Sequence, residues 1–396
     1  MWFLIYIYIF CISVLLSMAL TKLMIAVSHR FQIYDLPAGR KNHERPIPYL
    51  GGVAIYVSFL GVVAVHMWLL HLLNDKIPLI ANVARHLQYS VALGEKPAVL
   101  RALGIMAGGT LIFLAGLIDD VFSLRPRVKL AAQVLAGIIV VSFGVRLDIF
   151  ISFPPVTWVA TIFWIVLMVN AFNFLDNMDG LSAGVALIAA LIFFFVVFPL
   201  HQTLTAAILL VIAGTLFGFL IYNFNPARIF MGDAGAMFIG FVLAALTVVG
   251  TFYMDDHMSP WGLFTPILIL GVPIFDTVGV IYLRWKAHLP VYVGDNRHFS
   301  HRLVHLGMSK RDAVIFIYLV SFAVGVGATL LRYLRLSGAI TLFVQTLGIF
   351  AIIILLMVAD RNKRIIERWN NQNEPEEKKE NGIHICEPTG KTSPSS

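Results

Sequence analysis

The segment NAFNFLDNMDG, residues 170–180, places two amides and two carboxylates, Asn170, Asn173, Asp176 and Asp179, directly after an apolar run long enough to cross a bilayer. Polar groups at the edge of hydrocarbon are costly unless a cation or a polar ligand offsets their desolvation. The segment therefore reads as a binding site at the end of a membrane helix. Asp176 and Asp179 are three apart and on a helical turn would share a face with Asn173. Such oxygen ligands suit Mg2+, which takes one or two carboxylates together with substrate phosphates. An Asx-rich turn that caps the following span accounts for the same residues without a ligand.

Four further clusters carry chemistry of a related kind. In LIDDVFSLRPRVKL, Asp119 and Asp120 close one span and Lys129 opens another. Adjacent carboxylates can hold a divalent cation, or one can act as a base, while Lys129 can neutralise a phosphate. The alternative is a helix end whose acids sit among headgroups beside Arg125 and Arg127. In NFNPARIFMGDAG, Gly232 and Gly235 flank Asp233, so its carboxylate can approach a metal closely or can serve as a helix N-cap. His298, His301 and Arg302 in HFSHRL can coordinate, donate to phosphate or carry protons, unless they belong to a solvated basic loop. With no cysteine cluster and no HExxH spacing, a structural zinc site is not expected there. Ser309 with Asp312 resembles a capping box that starts the next span.

The loop DLPAGRKNHERPIPYLGG crowds Arg40, Lys41, His43 and Arg45 ahead of Pro46, Pro48, Gly51 and Gly52. A rigid basic loop of this kind can hold an anionic headgroup or a nucleotide. Anchoring on the cytoplasmic side explains its charges equally well, but not its glycine pair. Asp276, inside a span and after Pro273, reads as a proton site or, better, as support for a cation near the cytoplasmic end such as Arg284 or Lys286.

The scaffold for these clusters is hydrocarbon-soluble. Of 396 residues 59% are hydrophobic and 13% charged, with a mean hydropathy of +0.84, which no soluble core absorbs. The chain reads as an all-α integral membrane protein with about eleven spans, each able to cross a roughly 30 Å slab. They are expected at 2–27, 50–73, 101–119, 129–147, 156–175, 181–200, 203–222, 234–252, 261–283, 312–334 and 338–359. The first lacks a basic n-region and a small-residue cleavage site, so it reads as a retained span. Lys and Arg concentrate in the loops on one side, which puts the N-terminus outside, the C-terminus in the cytoplasm and every polar cluster at the cytoplasmic face. Residues 1–360 form the expected polytopic catalytic domain, and 361–396, low in apolar content, a disordered cytoplasmic tail. The net charge of +7 follows from this topology and can attract anionic lipid or nucleotide phosphates, while nothing suggests nucleic acid. Cys11 and Cys386 form no disulfide framework.

In order along the chain, DLPAGRKNHERPIPYLGG, DDVFSLRPRVKL, NAFNFLDNMDGL, NFNPARIFMGDAG, PIFDT and HFSHRL resemble the polyprenyl-phosphate N-acetylhexosamine-1-phosphate transferases of glycosyltransferase family 4. The first loop is similar to the WecA and TagO branch and unlike the MraY branch. The resemblance implies an inner-membrane enzyme, a homodimer, in which undecaprenyl phosphate attacks the β-phosphate of a UDP-N-acetylhexosamine and UMP leaves. GlcNAc is the sugar expected, for the first membrane step of a cell-envelope polysaccharide. By position, the resemblance makes Asp233 the Mg2+ ligand, with Asn173 a second contact and Mn2+ able to substitute. It makes Asp119 and Asp120 the pair that activates the lipid phosphate, and places Lys129 and the loop of His298, His301 and Arg302 near the diphosphate. Asn170, Asn173, Asp176 and Asp179 fall around the nucleotide, Asp179 facing uracil, with Lys41 and His43 as further substrate contacts. Ser300 departs from a pattern that often has histidine. A phospho-MurNAc-pentapeptide transferase and a proton-coupled transporter are the competing readings.

Overall fold

The computed structural model describes residues 2–36, 45–73, 98–147, 153–250, 259–289 and 298–372. Helices dominate them: α1 (Trp2–Phe31), α2 (Gly51–Leu73), α3 (Ala98–Phe122), α4 (Pro126–Ser142), α5 (Pro154–Leu175), α6 (Leu181–Val197), α7 (Thr203–Asn223), α8 (Gly232–Val249), α9 (Thr265–Ile269), α10 (Gly271–Lys286), α11 (Phe299–His305), α12 (Lys310–Ala328) and α13 (Leu336–Gln372). Met1–Leu347 forms one compact unit, which holds all the clusters; the second unit, Gly348–Ser396, is described only where α13 continues to Gln372.

The all-α membrane architecture stands. Among the described residues nine helices are long and apolar enough to cross a membrane, and the pair Pro260–Ile269 and Gly271–Lys286, bent by 65°, is apolar enough to form either a broken span or a re-entrant loop. Pro273 lacks the amide that would bond the Ile269 carbonyl, which explains a break at this point. The remaining segment, expected at 129–147, is α4 with 17 residues. That gives about 25 Å of helix, short of a roughly 30 Å slab. It nevertheless runs back along α3. Lys129 in its first turn meets Asp119 near the end of α3, and Phe143 just beyond its last turn lies 2.4 Å from where a Cβ on Gly104 would stand.

Local sequence explains where these helices begin. Pro126 and Pro154 open α4 and α5 at the position where a missing amide costs nothing. Ser309 caps α12 by accepting the Asp312 amide at 3.1 Å, as the capping box predicts. At the centre stands α8, with sixteen of its 18 residues buried. It is apolar all round, as a helix enclosed by others must be, and it packs against α2, α3, α5 and α6.

One feature outside the helical reading bears on the site. β1 (Tyr34–Asp35) and β2 (Ile47–Pro48) pair antiparallel, Tyr34 opposite Pro48. The Phe230 amide donates to the Pro48 carbonyl and the Gly51 amide to the Phe230 carbonyl, each at 2.9 Å. The segment that leads into Asp233 is thereby stitched to the start of α2.

Candidate active site

Asp233 stands in the first turn of α8 at the meeting point of four helices. Gly232 before it adopts φ +65°, a left-handed conformation that side chains disfavour, and a Cβ there would lie 2.5 Å from Asp120 Oδ2. Two more close approaches hold the turn. A Cβ on Gly52 of α2 would fall 2.5 Å from the Gly235 nitrogen, and one on Gly116 of α3 would fall 2.6 Å from the Ala234 Cα. The glycine pair that basic anchoring left unexplained is thus a packing requirement around Asp233.

Asp120, from the end of α3, caps α8. Its Oδ1 accepts the Asp233 amide at 2.8 Å and its Oδ2 the Ala234 amide at 3.1 Å, while the Tyr49 hydroxyl donates to Oδ1 at 3.1 Å. The first amides of a helix lack partners within it, and a carboxylate satisfies both charge and hydrogen bonding there. The capping role considered for Asp233 therefore belongs to Asp120. The Asp233 carboxylate is left to face the site: Asn173 Nδ2 donates to its Oδ1 at 2.9 Å and Lys129 Nζ to its Oδ2 at 2.6 Å. Lys129 also pairs with Asp119 Oδ2, and Asp119 Oδ1 accepts the Leu124 amide at 2.6 Å.

The 176–180 turn borders this centre. Burial raises the carboxyl of Asp176 well above the usual range, and the charges of Asp233, Asp120 and Asp179 add to the effect. Asp179 Oδ2 accepts from Asn225 Nδ2 and the Ala227 amide, both at 3.0 Å, so it also pins the loop ahead of Asp233. In the histidine segment, Asp276 supports His298. His298 Nδ1 lies 2.8 Å from Asp276 Oδ2, and the Phe299 amide donates to Oδ1 at 2.7 Å, which ties the start of α11 to α10. Ser300 donates to Asn177 Oδ1 at 2.5 Å and joins α11 to the 176–180 turn. Burial, together with His298 and His305, lowers His301 to about 4, so its imidazole is neutral at physiological pH.

A cleft of about 1320 Å3 opens over these groups. Of the residues singled out from sequence, Asp176, Asp179, Asp233 and His301 line it. Asp119, Asp120, Lys129 and Asn173 join Asp233 through the bonds just described. Asn170 is placed elsewhere: its amide donates to Gln133 Oε1 and the Val166 carbonyl, both at 2.7 Å, within the helix pair. His298 is buried against Asp276, and Arg302, partly buried, lies on the same turn outside the cleft lining. Lys41 and His43 fall outside the described residues. Arg45, from the basic loop expected to hold an anionic group, also lines the cleft; sequence reasoning missed Tyr49 and Asn177, and counted Arg228 and Lys310 of the lining chiefly as topology signals. Tyr49 was visible only as part of the PIPYLGG run.

Among the described residues no three of His, Cys, Asp or Glu converge tightly enough to cage a metal. Mg2+ does not need such a cage, since it keeps waters and shares its shell with substrate phosphates. The donor set fits such sharing: Asp233 presents its carboxylate beside the Asn173 amide, with Asp119 adjoining through Lys129, which bridges the two carboxylates.

A profile described as Glycosyl transferase family 4 matches residues 102–251. A Bacillus subtilis (strain 168) protein, "Probable undecaprenyl-phosphate N-acetylglucosaminyl 1-phosphate transferase", is 31% identical over 358 residues, 88% of this chain and 89% of its own length. The chain belongs to glycosyl transferase family 4. This family 4 chain is also similar to the decaprenyl-phosphate N-acetylglucosaminephosphotransferase of Mycolicibacterium smegmatis, 34% identical, covering 76% of the chain and 75% of the relative. The undecaprenyl-phosphate alpha-N-acetylglucosaminyl 1-phosphate transferase of Escherichia coli O157:H7 is more distant, at 22% over 74% of the chain and 75% of its own. The family 4 profile spans Asp119, Asp120, Lys129, the 170–180 turn and Asp233, and ends before α11.

Proposed function

We propose that this family 4 protein transfers N-acetylglucosamine-1-phosphate from UDP-GlcNAc to undecaprenyl phosphate at the cytoplasmic face of the inner membrane, releasing UMP. An acceptor phosphate oxygen bonds to the β-phosphorus of the donor; the bond to the bridging oxygen breaks, and its electron pair leaves with UMP. Such a reaction asks for positioning and charge neutralisation more than for covalent chemistry by the protein. The observation that carries the reading is the Lys129 ammonium held between Asp119 and Asp233, the second of which lines the cleft. From there it can exchange its carboxylate partners for phosphoryl oxygens. An acceptor that is already an anion needs no strong base, and Asp119 keeps Lys129 in place.

Asp233 and Asn173 would hold Mg2+, which when bound supplies positive charge to the diphosphate. His301, neutral and facing the cleft, can donate or accept a hydrogen bond without adding charge. Ser300, Asn177 and Asp179 fix the two walls relative to each other. Basic residues flank the helix ends that reach the site, Arg30 in the last turn of α1, Arg125 before α4, Arg228 before α8 and Lys310 in α12, which supports a cytoplasmic site with the N-terminus outside.

The test is UMP release by purified protein supplied with undecaprenyl phosphate, Mg2+ and one of UDP-GlcNAc, UDP-GalNAc or UDP-MurNAc-pentapeptide. Turnover of UDP-GlcNAc is expected. Turnover of the pentapeptide donor alone would replace the substrate, and solute flux into proteoliposomes without UMP release would replace the enzyme by a transporter.

A further inference from the structure

Asp120 carries three hydrogen bonds that fill the inward faces of both its oxygens: Tyr49 Oη and the Asp233 amide on Oδ1, and the Ala234 amide on Oδ2. A base needs an open lone pair, and a metal ligand needs an oxygen aimed at the ion. Asp120 instead directs its charge at the N-terminus of α8. Gly232 makes room for that placement, since a Cβ there would lie 2.5 Å from Asp120 Oδ2. Its neighbour differs. Asp119 presents Oδ2 to Lys129 and so meets the reactive side of Asp233.

We infer that Tyr49 is a positioning residue that acts through Asp120 on Asp233, setting the direction of the carboxylate that holds the cation, and that the adjacent aspartates divide their labour. The chain of contact is short: phenol, carboxylate, then the backbone of Asp233 itself. Tyr49 suits the task because burial, reinforced by the charge of Asp120, keeps its hydroxyl protonated and therefore a donor. It is held from behind as well, one residue after Pro48, whose carbonyl takes the Phe230 amide, and two before Gly51, whose amide bonds the Phe230 carbonyl. Removing the phenolic oxygen leaves Asp120 with two of its three donors, so the turn loosens without losing its cap.

The inference rests on the proposed Mg2+ at Asp233, and its test reads the cation directly. Tyr49→Phe and wild type are titrated with MgCl2 alone while the melting temperature is followed by intrinsic fluorescence, and the same titration is repeated on UMP release. In Tyr49→Phe the Mg2+ midpoint should rise about tenfold in both measurements, as for other residues that orient a metal ligand. The KM values for UDP-GlcNAc and undecaprenyl phosphate should not change, and the melting temperature without Mg2+ should fall by the few degrees expected for one lost hydrogen bond to a carboxylate. Deuterium uptake in the peptide covering 230–237 should quicken. A lower melting temperature with an unmoved Mg2+ midpoint would make Tyr49 merely structural, and a raised KM with an unmoved midpoint would place it on substrate; either overturns the inference. Wild type whose melting temperature ignores Mg2+ overturns it too. A shifted midpoint in protein that releases no UMP leaves the inference standing and sinks the proposed transfer instead.

Discussion

Replacing Lys129 with glutamine keeps a donor of similar reach and removes one positive charge from a site that holds four carboxylates. In the structure the ammonium lies 2.6 Å from Asp233 Oδ2 and pairs with Asp119, and 27% of the Lys129 side chain is accessible. A hydrogen bond to a charged group contributes about 1.5–3 kcal/mol, and partial exposure favours the low end. Two such bonds, handed from the aspartates to the phosphoryl oxygens as the reaction proceeds, amount to about 3 kcal/mol of transition-state stabilisation. That corresponds to a loss of roughly a hundredfold in kcat/KM. The Mg2+ requirement should move the other way. Lys129 occupies an oxygen of the proposed metal ligand, so its removal leaves Asp233 more available and more negative, and half-saturation should fall to lower Mg2+. The assay is UMP release at varied UDP-GlcNAc across an Mg2+ titration. A variant within threefold of wild-type kcat/KM, or one that needs more Mg2+, would refute the handover.

Other substitutions probe the same centre. Asp233→Asn should abolish Mg2+-dependent UMP release while the melting temperature stays within a few degrees, and unchanged turnover would remove the metal from this residue. Gly52→Ala puts a Cβ 2.5 Å from the Gly235 backbone nitrogen, which cannot yield as a side chain can. A loss of about 1–3 kcal/mol in stability is expected by thermal or denaturant unfolding, and parity with wild type would show that α2 and α8 pack otherwise. His301, lowered to about 4 from 6.5, is neutral in the fold while the unfolded chain takes up a proton in that interval. Stability should therefore fall as pH drops from 6.5 toward 4, by about 3 kcal/mol at the acid end. His301→Gln should flatten the melting temperature across that window; an equally steep decline in the variant would assign the acid sensitivity elsewhere.

The sequence made the helices legible because hydropathy acts locally, and it made the site legible because Asp119, Asn173 and Asp233 each end or begin a span. Direction of approach was beyond it. Asp120 and Asp233 are 113 positions apart, and nothing local says that the first caps the helix of the second. Asp233 beside two glycines looks like a cap as readily as a ligand, and only the placement of Asp120 decides between them. Tyr49 escaped because tyrosine in a loop between prolines and glycines carries no charge to notice. Asn170 was included by its spacing, yet the side chain turns into the helix pair toward Gln133. The strand pair at 34–35 and 47–48 is too short for any periodicity to register.

The helix turns explain why one face collects the chemistry. α3 hands over to α4, α5 to α6, and α7 to α8 at the same end of the bundle, so each short connection sets a pair of helix ends beside the others. Putting ionisable groups at those ends keeps them near water, and the cost of burying charge in hydrocarbon is largely avoided. Deeper in the bundle the polar pairs are neutral, Gln133 with Asn170 and Trp164 with Thr247. Two buried charged groups are matched where they stand: Asp276 in α10 by His298 and the Phe299 amide, and Arg332 by the Val196 carbonyl. Lys129 bridges Asp119 and Asp233, two carboxylates to one ammonium, an imbalance that suits a cation arriving with an anionic substrate better than a site complete in itself.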